Sequence, residues 1–127
     1  MYYNEKISNL DFDNAVAATI KSLQDAGFGV LSDIDLAGKL KEKTGQTIEP
    51  YKILGACHPP SALKAVKAEE HIGLMLPCNV IVYRSGGKTH IASIKPSAMM
   101  NQIKNPSLDA VACEVESKLK AAIEKVS

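Results

Sequence analysis

The chain has 127 residues, 46% hydrophobic and 23% charged, and fifteen Lys and Arg against fourteen Asp and Glu give a net charge of +1. This length and composition predict one soluble domain, residues 1–127, whose core needs no disulfide or metal staple. The balanced charge, without runs of one sign, lacks the electrostatic footprint that nucleic-acid or acidic-membrane binding needs, so we expect neither partner.

The first half of the chain predicts three strands and two helices. In order, they are a strand over 2–8, a helix from Asp11 to Gly27, a strand over 28–34, a short helix from Asp35 to Gly45 and a strand over 51–57. Asp35 is a typical N-cap of the short helix, which stops at Gly45, and Gly27 is a typical left-handed end of the first helix. The alternation of Phe28, Val30 and Ile34 predicts one buried strand face.

The second half predicts a helix, a hairpin and a long final helix. The elements are a helix from Pro59 to near Glu70, strands over 79–84 and 88–94, a helical turn over 96–101 and a helix from Asn105. Ser85-Gly86-Gly87 leaves room only for a tight turn, so the two strands form a β-hairpin. The final helix carries one apolar stripe, which is Leu108, Val111, Val115, Leu119, Ala122, Ile123 and Val126.

This order of elements predicts an α+β fold with an antiparallel sheet covered on one face by helices. A doubly wound parallel sheet needs a crossover helix where the chain has only the Gly86-Gly87 turn. The other sheet face or an edge must then be hidden from water, so we expect a homodimer.

Three cysteines, Cys57, Cys78 and Cys113, are widely spaced, and no Cys-x-x-Cys pair occurs. That spacing excludes a zinc ribbon and a disulfide scaffold. The polar N-terminus lacks the features of a secretory signal, and no apolar stretch approaches the roughly twenty residues that cross a bilayer. We therefore expect a cytoplasmic protein with reduced thiols.

The residues best suited to catalysis or ion binding are Cys57, His58 and Cys78. Cys57 and His58 run directly into a helix that opens with Pro59-Pro60, and a helix start favours thiolates and anions. Cys78 follows Pro77 and shares strand parity with core positions, so a buried structural sulfur is the competing interpretation. Cys113 lies off the apolar stripe, and His71 and His90 lack metal-ligand spacing, so we expect no metal site from them.

Three segments together resemble a known family: Ala26 to Val30, Ile53-Leu54-Gly55-Ala56-Cys57-His58-Pro59, and Leu74 to Tyr83, which contains Leu-Pro-Cys-Asn-Val. They resemble the small prokaryotic family called domain of unknown function 302. The resemblance implies a compact α+β domain similar to the TATA-binding-protein-like fold, a homodimer, and no established activity. Family members commonly have Cys-Asn-Pro where this chain has Cys57-His58-Pro59.

Three functions follow as hypotheses. The first is a dimeric binding module that holds a small ligand, anion or metal ion near Cys57, His58 and Cys78. The second is a thiol-dependent enzyme or redox protein with Cys78 or Cys57 as nucleophile and His58 as base. The third is a structural protein-interaction domain. The sequence identifies no cofactor and leaves enzymatic activity open.

Overall fold

Five strands form one antiparallel sheet in the computed structural model, which describes residues 1–127. They are β1 (Tyr3–Ser8), β2 (Gly29–Asp35), β3 (Tyr51–Cys57), β4 (Cys78–Ser85) and β5 (Lys88–Ile94). The helices are α1 (Phe12–Asp25), α2 (Leu36–Thr44), α3 (Pro59–Ala68), α4 (Pro96–Met100) and α5 (Pro106–Glu124), with a 3-10 helix over Glu70–Met75. The strand order is β1-β5-β4-β3-β2, which confirms the predicted α+β class.

Local sequence signals set the helix ends where we predicted them. The Asp11 carboxylate accepts a hydrogen bond from the Asn14 amide at 2.8 Å, and Asp35 accepts one from the Gly38 amide at 3.0 Å. Gly45 ends α2 with a φ of 75°, a left-handed conformation that other residues rarely adopt. These caps place α1 and α2 directly after β1 and β2.

The predicted hairpin joins β4 to β5. Gly86 and Gly87 both have positive φ, 60° and 76°, as a two-residue turn between right-twisted strands requires. The turn sets the register, so that Tyr83 lies opposite His90 across the two strands. Tyr83 and His90 therefore share one face of the sheet.

The core lies between α1, α3, α5 and the inner face of the sheet, which carries Leu54, Val80, Val82 and Ile91, all fully buried. The predicted stripe of α5 is buried along its length, at Leu108, Val111, Val115, Leu119, Ala122, Ile123 and Val126. Because the opposite side of this helix is polar, it covers the sheet and stays in contact with water. None of the helices is long and apolar enough to span a bilayer.

The outer face of the sheet carries no long helix. Ile53 lies opposite Ile81, and Ile81 lies opposite Ala92, so these side chains alternate with the inner core residues. The prediction of one buried face for β2 is wrong at Ile34. A bulge between Val30 and Ser32 shifts the register, so Ile34 pairs with Ile53 on the outer face and is 42% exposed.

Candidate functional site

The structure brings Cys57, His58 and Cys78 to one corner of the molecule. β3 ends at Cys57, α3 begins one residue after His58, and β4 begins at Cys78. β3 and β4 are neighbours with Ala56 opposite Cys78, so Cys57 lies one residue beyond the partner of Cys78, close enough for its charge to act on that thiol. We call this region, consisting of Cys57, His58 and Cys78, the cysteine corner.

Cys78 is part of the core. Its side chain belongs to the main apolar cluster and is only 6% exposed. Burial, followed by the neighbouring charge of Cys57, raises the pKa of Cys78 to about 11. The raised pKa lowers the thiolate fraction of Cys78 well below that of an ordinary thiol, which disfavours Cys78 as a nucleophile. Cys57 is half-buried, and Cys113 is exposed as predicted.

Both ring nitrogens of His58 already have partners. Nδ1 lies 2.7 Å from Ser61 Oγ, and Nε2 lies 3.3 Å from Lys118 Nζ. Because an ammonium can only donate, Nε2 accepts from Lys118, and Nδ1 carries the proton that is donated to Ser61. The ring also packs against Phe28, with centroids 5.5 Å apart. His58 is thus held as a neutral imidazole.

The surroundings keep His58 uncharged. Burial lowers the pKa of His58, the positive charges of Lys118 and Lys64 lower it further, and Glu114 partly opposes them. A general base for Cys57 needs a ring nitrogen aimed at the sulfur, but both nitrogens point to other groups. The geometry therefore gives little support to the cysteine–histidine pair that the enzyme hypothesis requires.

The start of α3 offers fewer amides than the sequence suggests. Pro59 and Pro60 carry no amide hydrogen, and the Ala62 amide donates to the His58 carbonyl at 2.9 Å. Among the first three residues of the helix, only Ser61 has an N–H. No group of three or more His, Cys, Asp or Glu side chains is arranged to hold a metal ion anywhere in the molecule. The corner therefore provides few groups for an anion or a metal.

A second candidate site lies on the outer face of the sheet, where a groove of about 450 Å³ runs across β1, β5, β4 and β3. It is lined by Tyr2, Tyr3, Glu5, Tyr51, Asn79, Ile81, Tyr83, Ala92, Ser93 and Ile94. These include all four tyrosines of the chain. The two phenylalanines lie in or against the core instead. We call this region the tyrosine groove.

The concave shape follows from side-chain size along the strands. Glu5, Ala92 and Ile81 form one row across β1, β5 and β4, with the small, 95% buried Ala92 in the middle. Tyrosine rings stand on both sides of this row. Tyr2 and Tyr3 meet edge to face with centroids 5.0 Å apart, and Tyr51 and Tyr83 stack at 5.5 Å, at an angle of 25°.

A polar cluster of Glu5, Tyr83 and His90 lies at one side of the groove. The Tyr83 hydroxyl donates to Glu5 Oε1, and the Tyr83 ring stacks on His90 at 4.8 Å. This hydrogen bond first, then burial and the charge of Glu5, raise the pKa of Tyr83 to about 12. His90 Nδ1 is buried without a hydrogen-bond partner, 3.5 Å from Glu5 Oε1. Glu5 is therefore fixed at the groove by its neighbours.

The sequence analysis did not predict this cluster, although the pairing of Tyr83 with His90 could have been predicted from the sequence. Counting outward from the Gly86-Gly87 turn pairs Tyr83 with His90, which already places a phenol beside an imidazole. The contact with Glu5 needs the pairing of β1 with β5, and strands about 85 residues apart give no local signal of it.

Comparison with known proteins identifies the family but no activity. The sequence model of the family described as domain of unknown function DUF302 matches residues 3–126. The fold is similar to the crystal structure of an uncharacterized conserved DUF302 protein from Bacillus stearothermophilus, with a TM-score of 0.94 and 28% sequence identity. The similarity covers 100% of this chain and 99% of that chain. No protein with a curated description matches the sequence.

Proposed function

The chain belongs to the DUF302 family, and from this premise we propose that it is a small-molecule binding module whose binding surface is the tyrosine groove. The family description assigns no activity, so the proposal stands on the geometry of the site. One observation carries it: all four tyrosines of the chain line a single groove of about 450 Å³. That volume lies within the range of about 300–1,000 Å³ that is typical of small-molecule sites.

Tyrosine suits a binding surface because its ring offers a large apolar area and its hydroxyl stays hydrogen-bonded. Few rotatable bonds are ordered on binding, so the entropic cost is low. The chain packs its core with aliphatic residues and Phe28, and it places no tyrosine there. This segregation of the tyrosines to the uncovered face supports a role in recognition rather than in packing.

The cysteine corner supports a site less well. Its buried sulfur, on Cys78, is protonated, and the ring nitrogens of His58 are already paired. Ligand binding at Cys57, His58 and Cys78 stays a prediction, as does thiol chemistry. Both draw on His58, whose ring nitrogens are already paired, so the half-buried Cys57 lacks a free imidazole beside it.

Amide NMR spectra recorded with a panel of small aromatic fragments test the proposed surface. We expect shifts concentrated at Ile81, Ala92 and Ile94 in the groove. Replacing Ala92→Leu fills the row between the tyrosines and should abolish these shifts, whereas the exposed helix substitution Ala121→Leu should leave them unchanged. Shifts centred on Cys57 and Cys78, or no shifts with any fragment, would contradict the proposal.

We also propose that the module is a homodimer. Large apolar side chains lie exposed around β2, one edge of the sheet, at Leu31, Ile34, Leu40 and Ile48. A monomer leaves them in contact with water, and a second copy would cover them. The groove lies toward the opposite edge, so both roles are compatible. Light scattering should give twice the chain mass, and Leu31→Lys should reduce it. A monomer mass at micromolar concentration would overturn the proposal.

A further inference from the structure

We propose that the tyrosine groove is selective for small organic cations, with alkylated ammonium groups as the preferred ligand class. This inference rests on the proposed binding function and adds the chemical nature of the ligand. Two features of the groove carry it: its single carboxylate and its aromatic surfaces.

The groove is negative although the chain is not. Its ten lining residues include one carboxylate, Glu5, and no Lys, Arg or His. The whole chain has fifteen Lys and Arg and a net charge of +1, so the absence of basic side chains here runs against the overall composition. The Tyr83 hydroxyl and the His90 ring lie against Glu5, but its carboxylate is the only acidic side chain in the lining, so it repels an anionic ligand and attracts a cation.

The tyrosines have different roles around that charge. Both faces of the Tyr83 ring are stacked, one on Tyr51 and the other on His90, and its hydroxyl holds Glu5. Tyr51 stacks on Tyr83 from the β3 side, so its remaining face points toward β2 and away from Glu5. Tyr2 and Tyr3 meet edge to face, an arrangement that leaves ring surface open. These π faces attract a cation that lies within about 6 Å of the ring centre.

The floor of the groove favours an alkylated cation over a metal ion or a bare ammonium ion. Ile81, Ala92 and Ile94 offer apolar contact, and Glu5 Oε1 already accepts the Tyr83 hydrogen bond. A metal ion needs several oxygen, nitrogen or sulfur ligands, and no such cluster exists in the molecule. The methyl groups of a quaternary ammonium ion can contact Ile81, Ala92 and Ile94 while its charge is attracted by Glu5.

Choline and its uncharged carbon isostere, 3,3-dimethyl-1-butanol, separate charge from shape. The chain has no tryptophan, and its four tyrosines all line the groove, so intrinsic tyrosine fluorescence reports on this site alone. We expect saturable changes with choline and binding about tenfold weaker for the alcohol. Amide NMR spectra of the same samples locate the bound molecule.

Two pairs of variants distinguish the contributions. Glu5→Gln should weaken choline binding about tenfold and leave the alcohol unchanged, while the exposed control Glu70→Gln alters neither. Tyr3→Phe keeps the ring and should retain choline, whereas Tyr3→Leu should weaken its binding. Unfolding midpoints of the variants confirm that each is folded.

Equal affinity for choline and the alcohol would overturn the cation proposal and leave the binding function in place. Failure of choline to perturb the groove at about 10 mM, while aromatic fragments still do so, would also overturn the cation proposal alone. If neither choline nor any fragment perturbs the groove, both the cation proposal and the proposed function are wrong.

Discussion

The cysteine corner and the tyrosine groove differ in how far the fold satisfies their polar groups. At the corner, each ring nitrogen of His58 has a partner, and the Cys78 sulfur is enclosed by the core. At the groove, Ser93 Oγ has no hydrogen-bond partner, and aromatic surface faces an open concavity. Binding depends on groups that folding leaves available, so the groove is the stronger candidate despite its less reactive residue types.

This difference predicts that substitutions at the cysteine corner and at the tyrosine groove affect different properties of the protein. Substitution at the corner should act on the stability of the fold, because the side chains there pack against β3, α3 and α5. Substitution at the groove should act on ligand binding and on local ionisation, because its side chains are only partly buried. Measurements of thiol reactivity, phenol ionisation and stability can therefore sharpen or break the comparison.

The largest contrast is expected in thiol alkylation. With a pKa of about 11 in place of the ordinary 9.0, Cys78 has about 100-fold less thiolate at pH 8 than an ordinary thiol, and burial restricts access further. Iodoacetamide should label the exposed Cys113 first and Cys78 last, as peptide mass spectrometry can follow. In urea, the three thiols should react at similar rates. Rapid labelling of Cys78 in the native protein would contradict its placement in the core.

The same experiment tests the corner as an ion site. Labelling of the half-buried Cys57 is followed with and without added zinc or phosphate. Because the corner lacks a metal-ligand cluster and the start of α3 lacks amides, we expect neither ion to change its rate. Protection of Cys57 by either ion would revive the corner as the functional site.

Phenol ionisation should show the next largest effect. Tyr83 should ionise near pH 12, and Tyr83→Phe should remove that step from the absorbance titration at 295 nm. Glu5→Gln removes the carboxylate charge, so the pKa should move toward the ordinary 10, whereas Glu70→Gln should not change it. Because folding raises this pKa, the associated stability is complete below pH 10 and is lost as pH rises toward 12. A single transition near pH 10 for all four tyrosines would contradict the hydrogen bond between Tyr83 and Glu5.

A smaller effect is expected from cysteine-to-serine substitution. Cys78→Ser places a hydroxyl among apolar side chains and should lower the free energy of unfolding by about 1–3 kcal/mol. Cys113→Ser, on the exposed side of α5, should change it by less than about 0.5 kcal/mol. Urea unfolding of both variants gives the comparison. Equal losses would mean that Cys113 contributes as much packing as Cys78 does.

The fold was predictable because its signals are local. Capping by Asp35, the Gly86-Gly87 turn and the stripe of α5 each depend on residues close in sequence, and each has its predicted role. Ile34 was misplaced because a bulge reverses strand parity, and the alternation of apolar residues alone does not reveal a bulge.

The site was less predictable because it depends on strands distant in sequence. The groove joins β1 to β5, β4 and β3, so its tyrosines are dispersed from Tyr2 to Tyr83 in the chain. At the corner, the sequence indicated that the Cys57 and Cys78 thiols could meet if their strands were neighbours, and the structure pairs those strands. The sequence could not show that Lys118, sixty residues beyond His58, occupies one nitrogen of that ring.

The smallest expected effect concerns His58 and acid. Because folding lowers the pKa of His58, the unfolded chain binds a proton first as pH falls. The stability that comes from the neutral ring is therefore present above pH 6.5 and is lost as pH falls below it, through the lower pKa of the folded state. Lys118→Met removes one cause of the lowered pKa and leaves burial, the larger cause, in place. We expect the acid-dependent loss in urea unfolding between pH 7.5 and 5 to become smaller without disappearing.

Lys120→Met provides the control, because Lys120 is exposed on the same helix and makes no hydrogen bond to His58. Its acid-dependent loss should equal that of the unmodified protein, and an NMR titration of the His58 ring should show a higher pKa only for Lys118→Met. Identical behaviour of the two variants would mean that Lys118 does not hold His58 neutral. The imidazole would then have a nitrogen free to act as a base for Cys57. The cysteine corner would in that case be a stronger candidate for the functional site than the tyrosine groove.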